Sequence, residues 1–241
     1  MNTLPWRRRV AAIASLGDEN RRKLFDFVRS AGDAVSRDDA ARAVGLARST
    51  ASFHLDRLVH DGVLLVEFRK LGGRDGPGSG RPAKLYRAAV REVGASVPDR
   101  NYDLAADLLV SAVEASMAEG GSAREVLLRT AYARGYEAGR TRADAAGPAA
   151  GAGFAELLAA EGYRPEDDGA GGLLLLNCPF DRIASGHAGV VCAMNGAFLG
   201  GAAAGCGIAR ERVEALDIED FKAQGAAQQG QCCARIRPPG A

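Results

Sequence analysis

Residues 36–70, SRDDAARAVGLARSTASFHLDRLVHDGVLLVEFRK, restrict the possible folds more than any other stretch. Ser36-x-x-Asp39 is a capping box, so a helix is predicted to start there and to stop at Gly45. After the tight Gly45-Leu46 turn a second helix is predicted from about Arg48 to Val59, with Ala51, Leu55 and Leu58 recurring on one face. A strand-like run, GVLLVEFRK, follows. Upstream, ENRRKLFDFVR (Glu19 to Arg29) gathers Leu24, Phe25 and Val28 on a helical face. Downstream, AKLYRAA makes a second strand, separated from the first by LGGRDGPGSGRP. Helix, turn, helix and basic hairpin in this order define a winged helix-turn-helix.

That architecture suits double-stranded DNA. A helix fits the major groove, where Arg48 can reach guanine while Ser49, Ser52, His54 and Arg57 lie off the predicted core line. In the hairpin, Arg69, Lys70, Arg74, Arg81 and Lys84 can neutralise phosphates and release counterions. His54 could equally be an ordinary helix-surface histidine. The glycine-rich hairpin loop lacks the Gly-Lys-Ser/Thr ending of a nucleotide cradle, so a wing tip is the better assignment. Charge agrees: residues 1–90 carry 17 Lys and Arg against 10 Asp and Glu, and the rest of the chain is net acidic.

The rear of the chain reads as helices over Tyr102–Ala118 and Ala123–Thr141, a joint at ADAAGPAAGAG, and a helix over Phe154–Glu161. A strand follows (Leu173–Cys178), then a helix (His187–Ala204) and strands over Val213–Ile218 and Cys232–Arg237. The fold expected is α+β. A winged helix-turn-helix occupies residues 1–95, a helical dimerisation linker residues 96–145, and a small α/β sensor domain residues 146–241. Aromatic residues are only 6% of the chain while Ala and Gly abound, so helices should meet through small residues. Gly189 to Ala209 is free of charge, but its six glycines and Asn195 make it a poor membrane span and a better buried helix. The N-terminus lacks the apolar core of a signal peptide. A cytoplasmic protein with reduced thiols and no membrane partner is expected.

The five cysteines are Cys178, Cys192, Cys206, Cys232 and Cys233. No pair has CxxC spacing. Their predicted places at element ends would let them converge, and four thiolates suit an iron–sulfur cluster or zinc. Cysteine also packs as a small hydrophobe, and adjacent Cys232 and Cys233 would point to opposite faces of a strand.

The runs RSTASFHLDRL, DGVLLVE and GRPAKLYR resemble the ArsR/DeoR-like winged-helix repressors over about 70 residues. NCPF, the His-bearing helix ending in VC, FLGG and the final CCARIR resemble SufR-type regulators of iron–sulfur assembly genes, over nearly the whole chain. The resemblance implies a homodimeric repressor whose [4Fe–4S] form binds a palindromic operator and releases it when the cluster is lost. Cys178, Cys192 and Cys206 match the family's first three ligands. The fourth is expected near Phe221, where this chain has no cysteine, so Cys232 takes that role, with Cys233 or His187 as alternatives. Zinc, a thiol switch at Cys232 and Cys233, or a metal-free ligand-responsive repressor are the competing regulators. An enzyme is not expected: there is no Gly-x-Ser-x-Gly elbow and no His-Glu-x-x-His, and the acidic run Glu166-Asp167-Asp168 reads as a solvated loop.

Overall fold

A computed structural model of the chain describes residues 4–70, 82–146, 150–215 and 230–240. They fall into two compact units, residues 2–96 and residues 97–241.

The front unit contains α1 (Trp6–Leu16), α2 (Glu19–Ser30), β1 (Val35–Ser36), α3 (Arg37–Val44), α4 (Arg48–His60), β2 (Leu64–Arg69) and β3 (Ala83–Ala88). Local chemistry sets its boundaries. Asp18 accepts the Arg21 N–H and starts α2. Ser36 Oγ accepts the Asp39 N–H at 3.1 Å, which caps α3, and its hydroxyl donates to the Asp39 carboxylate at 2.7 Å. Gly45 sits at φ 72°, the left-handed conformation that ends α3 and turns the chain into α4. Leu24, Phe25, Val28, Ala51, Leu55 and Leu58 bury together against Tyr86 of the sheet. That sheet is antiparallel with order β1-β3-β2, and β2 pairs with β3 from Leu64↔Ala88 to Arg69↔Ala83. Helix α1 is an addition to the three helices predicted; Trp6 Nε1 ties it to Ser96 O at 2.8 Å.

The rear unit contains α5 (Tyr102–Glu119), α6 (Ala123–Ala146), α7 (Ala150–Ala160), β4 (Pro165–Asp167), β5 (Leu173–Leu175), α8 (Asp181–Gly205), β6 (Val213–Ala215) and β7 (Ala234–Ile236). Its antiparallel sheet has the order β4-β5-β7-β6. The central contact is between α6 and α8, and it is made by glycine. A Cβ on Gly135 would lie 2.0 Å from Phe198 O, and one on Gly139 2.3 Å from Ala202 O. Reciprocally, a Cβ on Gly201 or Gly205 would meet the carbonyls of Tyr132 and Tyr136. The two backbones touch along a pair of Gly-x-x-x-Gly steps, so the small-residue packing anticipated from composition is found here.

Several expectations are corrected. Helices α5 and α6, in the stretch expected as a dimerisation linker over 96–145, share a core with the rest of the rear unit: Leu104, Leu108, Val126 and Leu127 pack with Leu175, Phe198 and Cys232. Helix α8 opens with a short run from Asp181 that breaks at His187 (φ −140°, ψ 38°), and the helix expected from His187 follows the break. Glu166 and Asp167 lie in β4, not in a loop; Asp168 alone turns, accepting the Ala170 and Gly172 N–H groups. Strand β7 starts two residues after Cys232, so both final cysteines precede it. Residues 216–218 of the strand predicted after Val213, and the region of Phe221, lie outside the described residues.

Candidate functional site

The front unit presents one helix to solvent in a way that suits a nucleic acid. Helix α4 begins after Ala47 with no side-chain cap and no acid in its first turn. Its N-terminal N–H groups and the positive end of its dipole therefore remain open to an anion. Arg37, Arg48 and Ser49 line a concavity at that end. Arg48 Nε lies 2.6 Å from Asp38, and Arg37 Nη1 donates to Ser52 Oγ at 3.4 Å. Arg37 was not a sequence candidate; its place at the start of α3 gave no periodic signal.

Of the expected contact residues on α4, Arg48, Ser49 and Arg57 are exposed and Ser52 is half-buried. His54 is a correction. It is buried, flanking the Leu55 line by about one helical step, and its Nδ1 has no hydrogen-bond partner. The outward residue is its neighbour Phe53, 69% exposed, with its ring edge-on to His54. Phe53 lies opposite the Ala51–Leu55–Leu58 face, a position that periodicity alone could have flagged. An exposed phenylalanine there can contact a thymine methyl.

In the wing, Lys70 is exposed, while Arg74 and Arg81 lie outside the described residues. Arg69 is held by Asp33 at 2.9 and 3.0 Å, and this bond brings the Asp33 carboxyl down to about 2. Lys84 Nζ reaches Asp56 of α4 at 2.6 Å, and Tyr86 OH reaches the same oxygen at 2.9 Å. Burial opposes ionisation of Asp56, but these two donors hold its carboxyl below the usual range. Arg57 pairs with buried Asp61. Arg48, Arg57, Arg69 and Lys84 are thus each oriented by an acid of the same unit.

In the rear unit the cysteines separate into groups. Cys178, Cys232 and Cys233 come together: Cys178 N–H donates to Gly230 O and Cys232 N–H to Leu175 O, which zips NCPF against the segment before β7. The Cys232 S–H donates to Cys178 Sγ and draws the Cys178 thiol below its ordinary range against the effect of burial. The same bond, another with Cys233, and burial push Cys232 up. The Cys232 lone pairs receive Asn195 Nδ2 at 3.3 Å and Ala234 N at 3.5 Å. Tyr163 OH donates to Asn195 Oδ1 and closes a buried chain, Tyr163–Asn195–Cys232–Cys178. Neither Tyr163 nor Asn195 was a sequence candidate, although a lone Asn in a charge-free helix is a signal for such a network.

Cys206 is elsewhere. It follows α8, its thiol donates to Gly139 O at 3.4 Å, and burial raises its pKa against the opposing charge of Arg142. Cys192 is half-buried on α8, one turn before Asn195. It lies about one and a half turns beyond the break at His187. His187 is exposed at the break in α8. Among the described residues no group of three or more His, Cys, Asp or Glu side chains is arranged to hold a metal ion. Cys178 and Cys232 thus lie together, while Cys206 lies against Gly139 O and Cys192 on α8.

Asn177, the neighbour of Cys178 in NCPF, is structural. Asn177 Nδ2 donates to Asp99 O and Gly162 O at 2.7 and 2.6 Å, and its Oδ1 accepts from Arg100. Arg100 also reaches Cys178 O and Asp181. Asn177 fixes where the thiol segment runs.

Residues 16–67 match the family model of a helix-turn-helix domain. The match spans α2 to β2 and supports a DNA-binding transcriptional regulator of winged-helix type. No curated protein and no solved structure matches the chain.

Proposed function

We propose that the protein is a homodimeric transcriptional repressor that binds double-stranded DNA through α4 and the wing and reports the oxidation state of Cys178 and Cys232. The DNA half of this reading is supported by the uncapped N-terminus of α4 with Arg37, Arg48, Ser49 and Phe53 around it. Regulators of this type are typically not enzymes.

The sensing half is carried by one observation, the backbone pairing of Cys178 N–H with Gly230 O and of Cys232 N–H with Leu175 O, which brings the two thiols together beside Asn195. A thiolate is the reactive form of cysteine. Cys178, the more acidic partner, attacks the O–O bond of a hydroperoxide and becomes a sulfenic acid while an alcohol leaves. Cys232 sulfur then attacks Cys178 sulfur, and water leaves with the Cys232 proton. Two thiols and one hydroperoxide yield one disulfide, one alcohol and one water. The Cys232 S–H is consumed, and the Asn195 contact must adjust, which biases the packing of α8. The iron–sulfur reading implied by the SufR resemblance requires Cys206 to leave Gly139 O, so the thiol pair is favoured over it.

Duplexes enriched from a random library test both halves by fluorescence anisotropy. Arg48→Ala should weaken the selected duplex by about 5- to 150-fold, the range of one base or phosphate contact. A hydroperoxide should change the affinity of the reduced protein, and Cys178→Ser should remove that change. Equal affinity of reduced and oxidised protein would overturn the sensing half and leave the DNA half standing. Stoichiometric iron and acid-labile sulfide in anaerobically purified protein would replace the thiol pair by a cluster.

A further inference from the structure

Helix α5 has two apolar faces. Leu104, Ala105, Leu108 and Ala112 enter the rear core. Ala106, Val110, Val113 and Met117 line the far side, and all four are exposed. Val110 and Val113 are more than half exposed and Met117 is 83% exposed. Their spacing of four, three and four residues is that of a coiled-coil seam, narrower than a core-facing stripe. A helix apolar on both sides is a helix covered on both sides.

Beside the seam, a groove lined by Leu109, Val113, Leu127 and Val190 opens between α5, α6 and α8. Except for Val97 and Tyr136, the exposed large hydrophobic side chains described in the rear unit all lie on this seam and groove. The two edges differ in charge. Asp107 and Glu114 flank the seam on one side, and Arg124 borders the groove on the other, its Nη1 on Gly189 O at 3.0 Å.

We infer that the seam Ala106–Val110–Val113–Met117 is the interface with a second copy of this chain, and that the two α5 helices run parallel about a two-fold axis. This deepens the homodimer reading above and rests on it. Three observations choose a second copy as the occupant. A seam of heptad spacing asks for another helix of the same spacing, and the chain itself supplies one. A two-fold interface needs a self-complementary patch, and this patch has unlike edges on its two sides. Each chain also offers a single recognition helix, whereas helix-turn-helix proteins read paired half-sites as dimers. Direction follows from charge. In the parallel arrangement Glu114 of one copy meets the Arg124 edge of the other. In the antiparallel arrangement Asp107 and Glu114 would face their own equivalents.

Sedimentation of the full chain tests this. The wild type should be a dimer, and Val113→Glu and Met117→Lys should be monomers with an unchanged far-ultraviolet spectrum. Met117 is so exposed in one copy that its replacement cannot unfold that copy. Glu114→Arg and Arg124→Glu should each raise the dissociation constant about two- to fivefold, as exposed ion pairs do, and the double exchange should restore it. A monomeric wild type overturns the homodimer reading itself. Dimeric Val113→Glu and Met117→Lys variants overturn only the seam, and a tighter dimer from Glu114→Arg overturns the parallel direction.

Discussion

The two units are held together by different means. The front unit is specified locally: Asp18, Ser36 and Gly45 each start or stop a helix with a side chain or a backbone angle of their own. The rear unit is specified at a distance. Gly135 is placed by Phe198, Gly201 by Tyr132, and Asn177 by Asp99 and Gly162. A locally coded unit tolerates the loss of one signal, because each cap adds a separate increment. A unit in which two backbones touch has no slack, since a single methyl group displaces a whole helix.

Substitutions at the glycine crossing should break this contrast most visibly. Gly201→Ala forces a carbon to 2.0 Å from Tyr132 O, so the helices must separate. The expected loss is about 3 kcal/mol, the upper end for overpacking, read from urea unfolding. Asn177→Ala should come next. It removes the amide donor from the Gly162 and Asp99 carbonyls and one acceptor from Arg100, costing about 2 kcal/mol, with the Cys178 segment losing hydrogen-exchange protection. In the front unit, Ser36→Ala removes one cap and should cost about 1 kcal/mol, confined to exchange in α3.

The smallest effect sharpens the local side of the comparison. Asp33 has its carboxyl at about 2 because Arg69 bonds to it. A lowered carboxyl stabilises the fold above the ordinary range near 4, and that contribution fades as pH falls through about 2. Arg69→Gln should return the Asp33 carboxyl toward 4 in an NMR titration; an unmoved midpoint would dissociate the wing strand from the loop before β1.

The same contrast explains what could be read from the sequence. Helices α2, α3 and α4 and the β2–β3 hairpin lie within a residue or two of their predicted bounds, because caps, a glycine and apolar spacing are local. His54 was expected off the core face but is buried, because a residue one step off the core line can turn either way and only the packed sheet decides. Strand β4 was hidden because Pro165-Glu166-Asp167 has little strand propensity; its pairing with Leu173–Leu175 forms it. The cysteines show the limit most directly. The SufR resemblance implied a shared site for Cys206 and Cys178, whereas the Gly139 crossing places Cys206 against α6. The contact between Cys178 and Cys232 depends on the pairing of NCPF with residues 230–232, which no local pattern encodes.

The Asp56 carboxylate has a consequence for how DNA is chosen. It belongs to the reading helix yet receives both Lys84 and Tyr86 from the wing strand. On the proposed reading, the groove-reading surface of α4 and the backbone-gripping surface of the wing are therefore joined like the two jaws of a calliper, with Asp56 setting the opening. Such a tool measures before it reads. A duplex whose groove width or local bend does not match that opening must be deformed to fit, and the cost depends on base steps that no side chain touches. Asp56→Asn should loosen the jaws, admitting more sequences while holding each of them less firmly.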